Sequence, residues 1–332
     1  MSRCAVALNA GALPAASALA DQALDLARRE GSPGRLGVAH QLHINALFWR
    51  GDLAGIEEHF ATWLACSDDP GFLRQILPAV EALGFASLNA CLLGRVDLAR
   101  DRVAQALAAA EPNHPFDLAY AEFFAAVLRL FLREYEHAAA LAAQVLGRGE
   151  KHQFPLLIAS SRCALGVARA QRGFASESVA LIRQGLTGLL EGGFRPSIPY
   201  WTGCLAEAQA GAGAIGDALA TVEQALQAYP DELVWRPENL RRRAELRLTQ
   251  DQTDVGAADF REAIALARRM GAKAFELRAT MSLARLLAQQ GRRDEARTML
   301  AEIYGWFTDG FDTVDLKEAK ALLEELGGLR ET

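Results

Sequence analysis

A single phrase recurs along this 332-residue chain: a glycine, four variable residues and an alanine, with apolar residues at helical spacing on both sides. Gly94-Arg-Val-Asp-Leu-Ala99, Gly213-Ala-Ile-Gly-Asp-Ala218 and Gly291-Arg-Arg-Asp-Glu-Ala296 are three copies. Gly11 to Ala16 is another, with Pro14 near a helix start, where its missing N–H costs little. On this frame the glycine slot falls at Gly11, Gly51, Gly94, Arg133, Gly173, Gly213, Thr253 and Gly291, in steps of 40, 43, 39, 40, 40, 40 and 38 residues. The alanine slot holds Ala16, Ile56, Ala99, Ala138, Ser178, Ala218, Ala258 and Ala296. Chance does not hold such a phase over most of a chain, so the fold must be an array.

The physics of one copy sets the fold of all. Glycine ends a helix because it takes a left-handed backbone at no steric cost. Alanine on the first turns of the next helix lets two helices approach closely. Apolar residues then follow at helical spacing, as in Val103, Leu107 and Ala110, or Val222, Leu226 and Tyr229. Each repeat is therefore a helical hairpin, which cannot bury its apolar faces alone and must stack on its neighbours. We expect an all-α solenoid, a right-handed superhelix of about eight hairpins of ~40 residues, spanning residues 1–332 as one array. Gly31–Gly34 and Glu191–Pro196 read as turns between hairpins. Asp312 and Thr313 can cap a last helix over 314–326, which Gly327-Gly328 stops.

With this frame in place the chain resembles the tetratricopeptide repeat family, in which a Leu-Gly or Leu-Ala pair lies about two turns before the glycine slot. Leu165-Gly166, Leu205-Ala206 and Leu283-Ala284 sit there. Arg133 and Thr253 depart from the glycine slot, and the period exceeds the consensus of about 34 residues. The last hundred residues are similar in more detail to the C-terminal end of large bacterial signalling proteins. The words are Trp235-Arg-Pro-Glu-Asn-Leu-Arg241, Glu276-Leu-Arg-Ala-Thr-Met-Ser-Leu-Ala-Arg285 and Ile303-Tyr-Gly-Trp-Phe-Thr-Asp-Gly-Phe. Those proteins carry a class III adenylate/guanylate cyclase or a winged-helix DNA-binding domain, then a signal-transduction ATPase module, then a long repeat tail. The resemblance implies a tail that senses a ligand or partner and restrains the ATPase. No G-x-x-x-x-G-K-[ST] loop and no cyclase segment occurs, so this chain corresponds to the tail alone. Met1 falls ten residues before the first glycine slot. The first hairpin is therefore expected to be incomplete, and the chain to be a piece of a larger protein or descended from one.

Composition narrows the function. A net charge of −6 and a pI near 5.6 argue against direct nucleic-acid binding, which usually takes a basic face. The five cysteines, Cys4, Cys66, Cys91, Cys163 and Cys204, are scattered without a C-x-x-C pair. They read as small core residues in a reducing, cytoplasmic compartment. The most apolar stretch, Leu118 to Leu132, is broken by Glu122 and Arg129, so no membrane span is expected. Residues Arg3 to Ala20 imitate a secretory signal, but Asn9, Gly11 and Pro14 interrupt its apolar core and fit the repeat instead.

No catalytic, cofactor or metal motif stands out. Gly211-Ala-Gly213-Ala-Ile-Gly216 satisfies G-x-G-x-x-G, but it follows a helix and coincides with a repeat turn, where a dinucleotide loop needs a strand. Asp251 to Glu262 has the length of a calcium loop, yet Thr253 and Val255 supply poor ligands or none. His40 and His43 share a helix face, and His59 one helix later can approach them; a packed cluster is the expectation. The pairs Glu57/Glu58 and Asp68/Asp69 read as solvated carboxylates. In the tetratricopeptide family the first helix of each hairpin lines the concave face. That places Trp49, Tyr120, Phe124, Tyr200, Trp201, Trp235, Arg236, Arg241 and Arg242 as candidates for groove binding, residue types that dominate binding hot spots when exposed. Ordinary packing between helices is the competing fate of each aromatic. The expected function is a non-catalytic regulatory module for a protein, peptide or effector. An ATPase or cyclase module is a partner in cis or trans, a free-standing self-associating scaffold is the alternative, and a chain retaining nucleotide cyclase or ATPase activity is the rival that the missing phosphate loop disfavours.

Overall fold

A computed structural model describes residues 2–66, 76–110 and 114–328; Asp68 and Asp69 lie outside the described residues. It contains α1 (Ser2–Asn9), α2 (Leu13–Glu30), α3 (Pro33–Arg50), α4 (Leu53–Cys66), α5 (Ile76–Leu92), α6 (Val96–Ala109), α7 (Pro115–Phe131), α8 (Tyr135–His152) and α9 (Pro155–Ala170). The chain continues with α10 (Ala175–Glu191), α11 (Ile198–Gly211), α12 (Ile215–Gln227), α13 (Arg236–Leu248), α14 (Thr253–Met270), α15 (Lys273–Gln289), α16 (Arg293–Tyr304) and α17 (Val314–Gly327). No strand occurs among the described residues. Successive pairs from α1/α2 to α15/α16 form eight hairpins, and α17 covers the last.

The odd-numbered helices pack on one another and form an inner layer; the even-numbered ones pack on their sequence neighbours and form an outer layer. Sequence dictates which is which. The inner helices α3, α7 and α11 are buried on almost every side. The outer helices α2, α10 and α12 each bury one stripe, as in Ala218, Val222, Ala225 and Leu226 of α12. The alanine-slot residues Ala16, Ile56, Ala99, Ala138, Ser178, Ala218 and Ala296 are all fully buried, where the hairpin helices meet. On the facing helix Gly166 meets the same demand, since a Cβ there would stand 2.6 Å from Ile182 Cγ1.

Seven of the eight glycine slots have the expected left-handed backbone, Arg133 included at φ +61°. The exception corrects the sequence frame. In the seventh hairpin the left-handed residue is Asp251 (φ +59°), and Thr253 already begins α14. The repeat there starts two residues earlier, so Gly256 is the buried slot residue and Ala258 is exposed. Aspartate substitutes because its short polar side chain tolerates the left-handed region better than most. The C-terminal cap is a second correction. Helix α17 begins at Val314 as expected, but the Thr313 hydroxyl donates to the Gly310 carbonyl (2.7 Å) instead of accepting from the helix. Asp312 is engaged elsewhere, by Arg100.

The superhelix closes on itself. Hairpin turns of the first half dock against segments roughly half the chain away. Arg195 N–H donates to the Asn9 carbonyl (2.7 Å), and Val96 N–H to Asp309 Oδ1 (2.8 Å). Arg100 makes a two-pronged pair with Asp312 (3.1 and 2.7 Å). Arg133 reaches Asp315 (3.1 Å) and Glu318 (2.9 Å) of α17. The glycine slots divide accordingly. A Cβ on Gly94 would stand 2.8 Å from Phe307 and 2.9 Å from Trp306, whereas Gly173, Gly213 and Gly291 have nothing within 4 Å. Gly94→Ala therefore meets both a backbone penalty and a packing clash, and is expected to cost about 2–4 kcal/mol. Gly291→Ala, at a similar φ of +79° but in open space, should cost only about 1–2 kcal/mol. Urea unfolding of the two variants side by side measures the difference, and equal losses would mean that the two superhelical turns do not press together at Gly94.

Candidate functional site

Closure narrows the concave face into a lumen lined by the inner helices. Its middle is narrowed by aromatic rings from the inner helices, which leave a cavity of about 60 Å³ between them. Trp235, at the start of α13, touches Tyr200 (4.7 Å between centroids), Phe131 (5.5 Å), Phe48 (5.7 Å), Phe275 (6.3 Å) and Trp49 (6.4 Å). Phe85 bridges Phe48, Trp49 and Phe124. The edge-to-face and tilted geometries are those the ring quadrupoles favour. Of the sequence candidates, Trp49, Phe124, Tyr200, Trp201 and Trp235 are buried in this plug, and half-buried Tyr120 packs at its edge in a tilted contact with Phe124 (4.9 Å). Trp201 Nε1 donates to Ser197 Oγ (3.0 Å).

On the C-terminal side of the plug lies a cavity of about 250 Å³, walled by α7, α11, α13, α15 and α17. Five arginines line it (Arg133, Arg241, Arg242, Arg278 and Arg285), opposite five carboxylates (Glu207, Glu238, Glu245, Asp315 and Glu318). Each charge has a counter-charge. Arg241 bonds Glu238 (2.8 Å) and Glu245 (2.6 Å), and Arg242 pairs with Glu207 (3.2 Å) and lies over the Tyr200 ring at 5.5 Å. Arg278 binds Asp315 (2.7 Å) and also donates to the Phe131 carbonyl, tying α15, α17 and the end of α7 together. Burial alone would raise the Glu238 carboxyl, but Arg241, Arg242 and Arg278 outweigh it and hold the group well below the usual carboxylate range. Burial pushes the Cys204 thiol beside Arg242 up to about 12, so it is no nucleophile. The lumen wall is a fixed lattice of both signs, suited to recognising a ligand that carries both.

The sequence candidates thus separate. Arg241 and Arg242 face this cavity, while Arg243, a further 100° round the helix, turns outward to Asp259 (2.6 Å). Arg236 bonds the Leu226 carbonyl (3.0 Å) and reaches toward Glu262, away from the lumen. Glu207, Glu238, Arg278, Arg285 and Asp315 were missed by sequence reasoning. Arg133 carried a signal, as a long cation in a slot that otherwise favours glycine. The remaining motifs resolve into structure. The G-x-G-x-x-G phrase is the turn from α11 into α12, and residues 251–262 are the turn and first turns of α14, where Asp259 is clamped by Arg243 and Arg247. His40 and His59 meet at 2.9 Å between Nδ1 atoms, and His43 stacks on His59. Burial, then the neighbouring rings, lowers His40 and His59 to about 4, a neutral packed cluster. Among the described residues no group of three His, Cys, Asp or Glu side chains is arranged to hold a metal ion, and no helix is long and apolar enough to cross a membrane.

The fold and its lumen define a tetratricopeptide-like helical solenoid. Among solved structures, a Rap protein complexed with Competence and Sporulation Factor aligns over 98% of this chain and 96% of its own, with a TM-score of 0.63 at 10% identity. The apo form of RapI aligns over 86% of this chain and 98% of its own, with a TM-score of 0.51 at 12% identity. At these identities the likeness is one of fold. No protein-family model matches the chain, and no curated protein matches it at a significant level.

Proposed function

We propose that this chain is a non-catalytic binding module that takes a short peptide, or a segment of a partner protein, into the charged C-terminal chamber of its lumen. The observation that carries this reading is the chamber itself: five arginines and five carboxylates, held in paired geometry on four helices and the turn after α7, around about 250 Å³ of space. A ligand bearing both signs can exchange intrachain pairs for its own, so binding loses little charge pairing. The similarity in fold to a Rap protein complexed with Competence and Sporulation Factor supports the choice of a binding role. The output we assign to an ATPase-bearing signalling domain in the same chain or in trans. Its support is the resemblance of residues 235–325 to the repeat tails of cyclase and winged-helix regulators.

Because Trp201 and Trp235 are core, the test falls on the half-buried and exposed lining residues Arg241, Glu245 and Arg285. A random hexapeptide library panned on the immobilised chain should enrich sequences that carry both an acidic and a basic residue. Fluorescence titration of the enriched peptides should then show affinity losses of about tenfold or more for Arg241→Ala and for Glu245→Ala. Peptides that bind both variants as tightly as the parent chain would place the ligand elsewhere.

A further inference from the structure

The lumen has a second chamber on the other side of the aromatic plug, with different chemistry. It holds about 280 Å³ and lies between α1, α3, α5, α7 and the turn before α11. Trp49, Phe85, Tyr120 and Phe194 give it aromatic walls. One acidic side chain lines it, Glu81 of α5, and no arginine, lysine or histidine does so among the described residues. Arg195, the nearest cation in sequence to the chamber wall, is turned away onto the Leu190 carbonyl (3.0 Å). Glu81 is half-buried and lines the chamber. Burial pushes its carboxyl up to about 7, against the opposing pull of hydrogen bonds from Asn45, Gln41 and Tyr120. A carboxylate offers about four lone-pair directions, so three donors leave one open. Beside it the Oδ1 atom of Asn45, a residue only 5% exposed, has no hydrogen-bond partner. A buried acceptor left unsatisfied costs about 1–3 kcal/mol, and a small rotation of the Asn45 side chain, which lines the chamber, would present it to a ligand N–H.

We propose that this chamber is a separate binding site for a small organic ammonium ion with an aromatic or apolar body. Every group on offer is of the kind a cation with N–H donors seeks. The Glu81 carboxylate supplies the counter-charge, Asn45 Oδ1 accepts a second N–H, and the faces of Trp49, Phe85 and Tyr120 attract the positive end through their quadrupoles. The apolar remainder of the wall, Leu8, Val38 and Leu42, takes the body of the ligand. A primary or secondary ammonium is selected over a quaternary one, because the orphan Asn45 oxygen needs a hydrogen to accept. The site is independent of the charged chamber described above, and neither reading depends on the other.

Binding must be linked to a proton. In the empty chamber Glu81 holds its proton below about pH 7, and the ammonium takes the ionised form. Binding therefore releases one proton at low pH, and affinity falls by about tenfold per pH unit on acidification below that value. Isothermal titration of the full chain with 2-phenylethylammonium at pH 8 is expected to show saturable binding. 2-Phenylethanol, which has the same body without the charge, should bind about tenfold or more weakly. Glu81→Gln should lose at least as much and flatten the pH profile, with circular dichroism confirming that it folds. Asn45→Leu is the second variant and should weaken 2-phenylethylammonium but not its N,N,N-trimethyl derivative, which has no N–H to donate. Arg292→Ala, which removes an exposed surface pair far from the chamber in sequence, should leave the titration unchanged. No binding at a few millimolar ammonium would overturn the proposal, as would equal affinity for the alcohol or undiminished binding by folded Glu81→Gln.

Discussion

Trp235→Ala is expected to destabilise this protein by about 3–5 kcal/mol or more, among the largest effects any single truncation here can have. Trp235 is 2% exposed and touches rings from α3, α7, α11 and α15. Its removal leaves a cavity that neighbours from four different helices would have to collapse into, and they are held by their own backbones. The loss should not stay local. The plug joins hairpins of the first superhelical turn to hairpins of the second, so hydrogen-exchange protection should fall in α3 and α7 as well as in α13. Val255→Ala on the exposed face of α14 serves as the contrast and should stay within about 0.5 kcal/mol. Loss of protection confined to α13 and α14 would show that the turns are stable without the plug.

Arg278→Met should cost about 3–5 kcal/mol for a different reason. The substitution keeps most of the apolar volume but leaves Asp315, mostly buried, with only Arg133 as partner, and deprives the Phe131 carbonyl of its donor. A mostly buried carboxylate that has lost one of its two arginine partners is the expensive product, so the double variant Arg278→Met/Asp315→Leu should recover part of the loss. Arg292→Ala, which removes an exposed pair with Glu295, should cost at most about 1 kcal/mol. Because Arg278 pins α17 and the end of α7 into one place, X-ray scattering should show a larger radius of gyration in the single variant. Unchanged dimensions with full loss of stability would separate the pair's energetic role from closure of the superhelix.

The hairpin array was legible because it rests on local rules. A left-handed residue stops a helix, a small residue lets the next one approach, and these constraints act within about ten residues of sequence. They placed the helices, the buried alanine slots and the start of α17 at Val314. The slip in the repeat frame, Thr253 for Asp251, came where aspartate did the work of glycine and the frame could slide by two residues unnoticed. The candidate site was half legible. Arg241 and Arg242 were found by their place on a first helix, but Arg236 on the same helix turned outward, and the aromatics became a plug.

What the sequence by itself determined is therefore the repeat: its period, its helical hairpins and the residues on which each pair of helices closes. Only the tertiary structure decided how tightly the superhelix winds. That quantity is the sum of small rotations between hairpins, each set by side-chain packing over many contacts and none encoded at one position. The winding brings Arg133 to Asp315 across 182 residues, converts an open groove into a lumen, and divides that lumen into one chamber of paired charges and one built around the lone Glu81.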